Sequence, residues 1–244
     1  MDSDPPPTRF PTTRWHRVLQ AGAGDASDVR DAIAELCAAY WFPVYAFIRR
    51  KGHDRDAAAD LTQGFFARLI ERGRVGSADP ARGRFRTFLL ADCQHFLADD
   101  RDRRNALKRG AGRAVLSIEA TDAEGRLLHE PIDATTPERL FARAWAETLL
   151  ARVLDQLRRE YRAAGRGPTF EALKGALADG LRESSSADLA ASLGTTAGAL
   201  RKALHSLRRR YRTILHEQIR ATVDDGDPSA VEDELRALFE AVRA

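Results

Sequence analysis

Residues 187–212 read ADLAASLGTTAGALRKALHSLRRRYR, two short helical segments around a turn centred on Gly194. In the second segment Leu200, Leu204 and Leu207 recur at i, i+4, i+7 and form one face. Arg201, His205 and Arg208 form the opposite face, flanked by Lys202 and Arg209. No acid interrupts residues 201–212. A basic helix held by its leucines against a partner helix suits a DNA major groove, with Ala197, Arg201, Lys202 and His205 towards bases. Arg208, Arg209, Arg210 and Arg212 are better placed for phosphates. A merely solvated charged face accounts for the charge but not for the turn and the leucine spacing.

The same helical period extends outward. Thr136 and Pro137 form a cap followed by proline at the first helical position, opening a long helix with Leu149, Val153, Leu154, Leu157 and Tyr161 on one face. Residues 165–168 end it, and a shorter helix follows from Thr169 to about Leu181. The basic helix is expected to run to about Val223, where DDGDP at 224–228 breaks the chain. Ser229 and Glu232 then make a capping box for a last helix striped by Val231, Leu235, Leu238, Phe239 and Val242. That stripe must be buried. It is expected to complete the core of the second domain; the alternative is that it covers a DNA- or partner-binding face and restrains activity.

Towards the N-terminus, Thr13 caps a short helix with Trp15, Val18 and Leu19. A helix over about 28–51 carries Val29, Ile33, Leu36, Cys37 and Tyr40, with a kink expected at Pro43. Asp54 caps a helix through Glu71 whose Leu61, Phe65, Phe66 and Leu69 face inward. A glycine-containing loop over 72–84 precedes a helix from Phe85 to Arg104 with Phe85, Phe88, Leu89, Cys93 and Phe96 on its stripe. Residues 105–136 lack sustained period and read as a linker, with a short extended segment at 115–118. The expected fold is all-α: two small helical domains joined by a linker, the second with a helix-turn-helix. The divisions are an N-terminal extension (1–24), a helical bundle (25–104), the linker (105–136), the helix-turn-helix domain (137–223) and a C-terminal amphipathic helix (224–244).

Hydrophobic residues make up 43% of the 244, enough for real cores and too many for wholesale disorder. The net charge is only +3, so local clustering at 101–113 and 201–212 carries the electrostatic reading. The opening MDSDPPPTRF is acidic, Pro-rich and polar, so no secretory leader is expected, and no apolar run approaches the roughly 20 residues of a membrane span. A cytoplasmic protein is expected. Cys37 and Cys93 fall on apolar helix faces and lack zinc-type spacing. The six histidines are scattered, with no nucleophile–base pairing and no phosphate loop. No metal, cofactor or small-molecule substrate is expected, and an enzyme is the least favoured class.

Three stretches together resemble bacterial sigma factors of the extracytoplasmic-function group. Residues 56–69, DAAADLTQGFFARL, are similar to the segment of the second conserved region that meets a coiled coil on the polymerase β′ subunit. Residues 82–104, RGRFRTFLLADCQHFLADDRDRR, resemble the part that opens and reads the −10 element. Residues 186–210 resemble the fourth region, which reads the −35 element. The opening FPTTRW and the closing VEDELRALF look like extensions found in a branch linked to Ser/Thr protein kinases. The resemblance implies core RNA polymerase (β′ coiled coil and β subunit) and promoter DNA as partners. It assigns Asp56, Asp60, Leu61, Gln63 and Phe66 to polymerase. It assigns Arg82, Arg84, Arg86, Gln94, His95, Asp99 and Arg103 to the −10 element, with Arg101 and Arg104 on phosphates. Gln94, His95 and Asp99 read equally as ordinary surface polars. Phe85, Phe88 and Phe96 read as core rather than as stacking platforms. Lys108, Arg109 and Arg113 of the linker would meet template DNA or the polymerase channel.

The sequence departs from the family pattern where Ala59 and Gly64 stand in place of glutamates and where His95 replaces a common asparagine. Losing two carboxylates weakens electrostatic capture by a basic partner. Thr62 lies within the depleted patch: either it or a neighbouring Thr or Ser is a phosphoacceptor restoring that charge, with a Ser/Thr protein kinase as a further partner, or Thr62 is an ordinary helix-surface residue. Two other classes remain: a stand-alone helix-turn-helix regulator, and a helical adaptor with basic faces.

Overall fold

A computed structural model of the chain describes residues 26–72, 84–106, 136–179, 183–223 and 228–243. The fold is all-α: every described element is a helix. These are α1 (Ala26–Arg50), α2 (Arg55–Glu71), α3 (Phe85–Ala106), α4 (Pro137–Ala163), α5 (Gly167–Leu173), α6 (Ala176–Asp179), α7 (Glu183–Ser192), α8 (Ala197–Arg220) and α9 (Pro228–Arg243). The short helix expected around Trp15, most of the glycine-containing loop with Arg82, the linker basics Lys108, Arg109 and Arg113, and the extended segment at 115–118 lie outside the described residues. Among the described residues no helix is long and apolar enough to cross a membrane.

The chain divides into two compact units, one of residues up to Thr148 together with Ile219 onward, the other Leu149–Gln218. In the first unit, Asp54 caps α2 by accepting a hydrogen bond from the Ala57 amide at 2.8 Å. Helix α1 runs through Pro43 and buries Tyr40, Val44, Phe47 and Ile48. Leu61, Phe65 and Leu69 of α2 and Phe85, Leu89, Cys93 and Phe96 of α3 join them in the core. The rings meet edge to face, Tyr40 against Phe85 at 5.2 Å and Phe65 against Phe96 at 5.7 Å, a geometry that adds to simple burial. Burial, with the Asp92 charge adding to it, pushes the Cys93 thiol up to about 12. It therefore stays protonated and packs as a small hydrophobe. The first turns of α4 belong to this unit: Phe141 meets Phe47 edge to face, and Glu138 pairs with Lys51.

The last helix, α9, groups with the first unit. This corrects the expectation that its stripe completes the core of the second domain. Amphipathicity shows that a face must be buried, not against what. The helix begins at Pro228, so Ser229 lies in its first turn instead of capping it. Leu238 is fully buried, while Phe239 and Val242 are exposed.

In the second unit, α4 contributes Val153, Leu157 and Tyr161 to the core, α5 contributes Phe170 and Leu173, and α8 contributes Leu200, Leu204, Leu207, Ile214 and Leu215. Thr136 caps α4 through its hydroxyl, which accepts from the Arg139 amide at 3.2 Å. The segment expected as one helix to about Leu181 is instead α5 and α6 with a turn at Lys174–Gly175.

The α7–α8 turn follows from its residues. Gly194 takes φ +61°, the left-handed conformation that ends a helix. The Thr195 amide then donates to the Ala190 carbonyl at 2.9 Å and the Gly194 amide to Ala191 at 3.0 Å. Thr196 starts the next helix, its hydroxyl accepting from the Ala199 amide at 3.2 Å. A Cβ at residue 194 meets nothing within 4 Å, so its cost is backbone strain alone. Gly194→Ala is expected to destabilise the second unit by about 1–2 kcal/mol, read from denaturant unfolding. An unchanged midpoint would show that the turn relaxes freely.

Candidate nucleic-acid interface

Helix α8 separates its side chains cleanly. Its leucines are in the core, and Arg201, Lys202, His205, Arg209 and Arg212 are exposed on the outer side. None of these five takes part in an ion pair among the described residues. Ala197 opens the helix and is half-buried. The result is a basic strip along three turns, preceded by a four-residue turn.

Two of the expected phosphate-binding arginines have other work. Arg208 donates to the carbonyls of Ala176 at 2.9 Å and Leu177 at 3.1 Å, satisfying backbone acceptors in α6. Its assignment to DNA is corrected: the guanidinium is spent on ordering the neighbouring segment. Arg210 makes a two-pronged pair with Glu160 of α4, both contacts at 2.7 Å, the strong form of the carboxylate–guanidinium bond. Burial raises the Glu160 carboxyl, but hydrogen bonds from Arg210 and Gln156 outweigh it and hold the group below the usual glutamate range. Because the folded value lies below the unfolded one, the stabilisation is present at neutral pH. It is lost as pH falls from the ordinary glutamate range through the depressed folded value. Glu160→Gln is expected to shrink the acid-induced loss of stability of the second unit. Equal acid sensitivity in variant and wild type would assign that loss to other carboxylates.

In the first unit, Asp56, Asp60 and Gln63 lie on one face of α2 at i, i+4, i+7, with Asp56 and Gln63 exposed and Asp60 half-buried. Leu61 and Phe66 are in the core and do not offer their side chains to a partner, which corrects their assignment to polymerase. Ala59 is also buried, so the residue standing in place of a glutamate faces inward. Thr62 is fully buried, and its hydroxyl donates to the Ala58 carbonyl at 2.7 Å. It presents nothing to a kinase. The expectation of phosphorylation at Thr62 is corrected by burial, because this side of α2 packs into the bundle.

Along α3, His95 is exposed. Gln94 is exposed and donates weakly to Glu138 at 3.4 Å. Asp99 pairs with Arg68 at 2.8 Å, which commits it within the bundle. Arg103 is exposed, 3.9 Å from Asp100, and donates to the Asp99 carbonyl.

Arg84 and Arg86, at the start of α3, both point to the Glu234 carboxylate of α9. Arg86 reaches it through Nε at 2.7 Å and a terminal nitrogen at 3.1 Å, and Arg84 through Nε at 3.0 Å. Arg86 also lies over the Trp145 ring, 4.6 Å from its centroid. Sequence reasoning missed Glu234 and Trp145. The available signal was an acid at 234 placed between Val231 and Leu238 on the apolar face of α9.

Comparison with protein-family models, with curated proteins and with solved structures finds no match to this chain.

Proposed function

We propose that the chain is a sigma factor of the extracytoplasmic-function type. In this reading it binds core RNA polymerase and directs promoter recognition, reading −35 with α8 and contacting the −10 element with the α3 side of the first unit. The observation that carries the reading is the outer face of α8, where Arg201, Lys202, His205 and Arg209 stand exposed on a helix fixed by its leucines. The resemblance of 56–69 and 82–104 to the polymerase- and −10-binding segments extends it to the rest of the chain. The protein acts by binding in the cytoplasm and does no chemistry of its own. Asp56, Asp60 and Gln63 are its polymerase-facing side chains on α2.

In-vitro transcription with core polymerase on genomic DNA, followed by mapping of start sites, tests this. A shared −35/−10 pair upstream of those starts is expected. Sequence-specific duplex binding with no polymerase-dependent initiation would identify a stand-alone regulator that uses α8 alone. Reversing charge at Asp56 and Asp60 to lysine is expected to weaken polymerase capture about tenfold, chiefly through the on-rate and most at low salt. An unchanged association rate would place the polymerase surface elsewhere.

A further inference from the structure

Helix α9 brings one carboxylate to two guanidinium groups, 148 and 150 residues away in sequence. The Glu234 side chain is 1% exposed, that of Arg86 15% and that of Arg84 35%. Two converging arginines, one with its guanidinium carbon 4.6 Å from the centre of an aromatic ring, present the donor set that a phosphodiester accepts as readily as a carboxylate does. The Trp145 ring is itself buried, so its part is to hold the Arg86 guanidinium in place rather than to stack a base. A single carboxylate leaves one positive charge of the pair unbalanced.

The surroundings of Glu234 indicate that it is a removable occupant. Leu238 is the only other fully buried side chain among the described residues of α9, and Phe239 and Val242 remain exposed. Residues 224–244 hold seven acids against two arginines, so the remainder of the chain carries a net +8 where the whole carries +3. The terminal segment is an acidic counterpart to an otherwise basic protein. A buried ion pair is in general no more stabilising than an apolar contact of the same volume, so stability alone gives no reason for this arrangement.

We propose that Arg84 and Arg86 form a binding site for backbone phosphates of single-stranded DNA, and that Glu234 occupies it in the free chain. Strand binding and docking of α9 are then mutually exclusive. This rests on the reading of the α3 side as a melted-DNA surface, but its test needs neither polymerase nor promoter. Binding of a labelled single-stranded oligodeoxynucleotide of mixed sequence is measured by anisotropy with the full-length protein. Glu234→Gln is expected to bind about tenfold more tightly than wild type. Its salt dependence should steepen by roughly 1.4 in log–log slope, for two phosphates at about 0.7 each. Glu240→Gln, on an exposed position of the same helix, makes the same change in net charge and is expected to shift affinity less than twofold. Adding Arg84→Gln and Arg86→Gln to Glu234→Gln should remove the gain.

A second measurement uses wild type alone: amide exchange in α9 is expected to accelerate when the oligonucleotide saturates the protein, with α2 unchanged. This arm decides the matter even where Glu234→Gln fails to fold. Equal affinities for the two glutamine variants, or α9 exchange unaffected by saturating strand, would overturn the proposal and leave Glu234 a purely structural partner. Failure to initiate transcription would overturn the sigma reading without altering these binding results.

Discussion

If α8 reads the −35 element as proposed, Arg201→Ala is expected to lower transcription from a cognate promoter by about 10- to 100-fold and to flatten the base preference at one or two −35 positions. The magnitude follows from the about 1–3 kcal/mol by which a two-pronged arginine–guanine contact discriminates against a wrong base. Arg201 is exposed in the second turn of α8 and has no ion-pair partner among the described residues, so its removal costs the folded chain little. Arg208→Ala provides the contrast. Its guanidinium holds the Ala176 and Leu177 carbonyls, and removing it leaves acceptors short of a donor. That variant should lose thermal stability while keeping the wild-type base preference. Lys202→Ala and Arg209→Ala should weaken binding uniformly across sequences and lower the salt slope by roughly 1 each. A promoter library transcribed by each variant separates the three behaviours. An Arg201→Ala protein with wild-type output and preference would remove α8 as the reader.

The contrast between Arg201 and Arg208 also shows what was legible in the sequence. Both lie on the polar side of one amphipathic helix, and local pattern treats them alike. What was legible is local. The i, i+4, i+7 leucines of α8 are all buried, Asp54 and Thr136 cap the helices they precede, and Gly194 supplies the turn. Each depends on residues within a turn or two, where periodicity and capping chemistry operate. What was not legible is where the charges end. Arg208 finds carbonyls 31 and 32 residues away, Arg210 a carboxylate 50 residues away, and Arg86 one 148 residues away. Tertiary packing chooses these partners, and no spacing rule encodes them. Thr62 was misread for a related reason. The motif that drew attention to it sits on a helix whose opposite sides face solvent and core. Thr62 follows Leu61 round the helix and goes inward with Phe65 and Phe66.

That inward placement predicts the largest loss of stability from a single substitution. Thr62→Glu is expected to destabilise the first unit by at least about 3 kcal/mol, because it sets a carboxylate in a site with no solvent exposure. Thr62→Val keeps the shape and loses only the hydroxyl's bond to the Ala58 carbonyl. That carbonyl already serves as a helical acceptor, so a cost of about 1 kcal/mol is expected. Denaturant unfolding followed through Trp41 and Trp145, both in the first unit, reads both variants. The order of effects matters as much as their size. A surface phosphoacceptor would tolerate glutamate and show any gain in polymerase binding on a folded background, whereas a buried threonine tolerates valine and rejects glutamate. A Thr62→Glu protein with a wild-type unfolding midpoint would mean that this face of α2 opens to solvent in solution, and a kinase could then reach the hydroxyl after all.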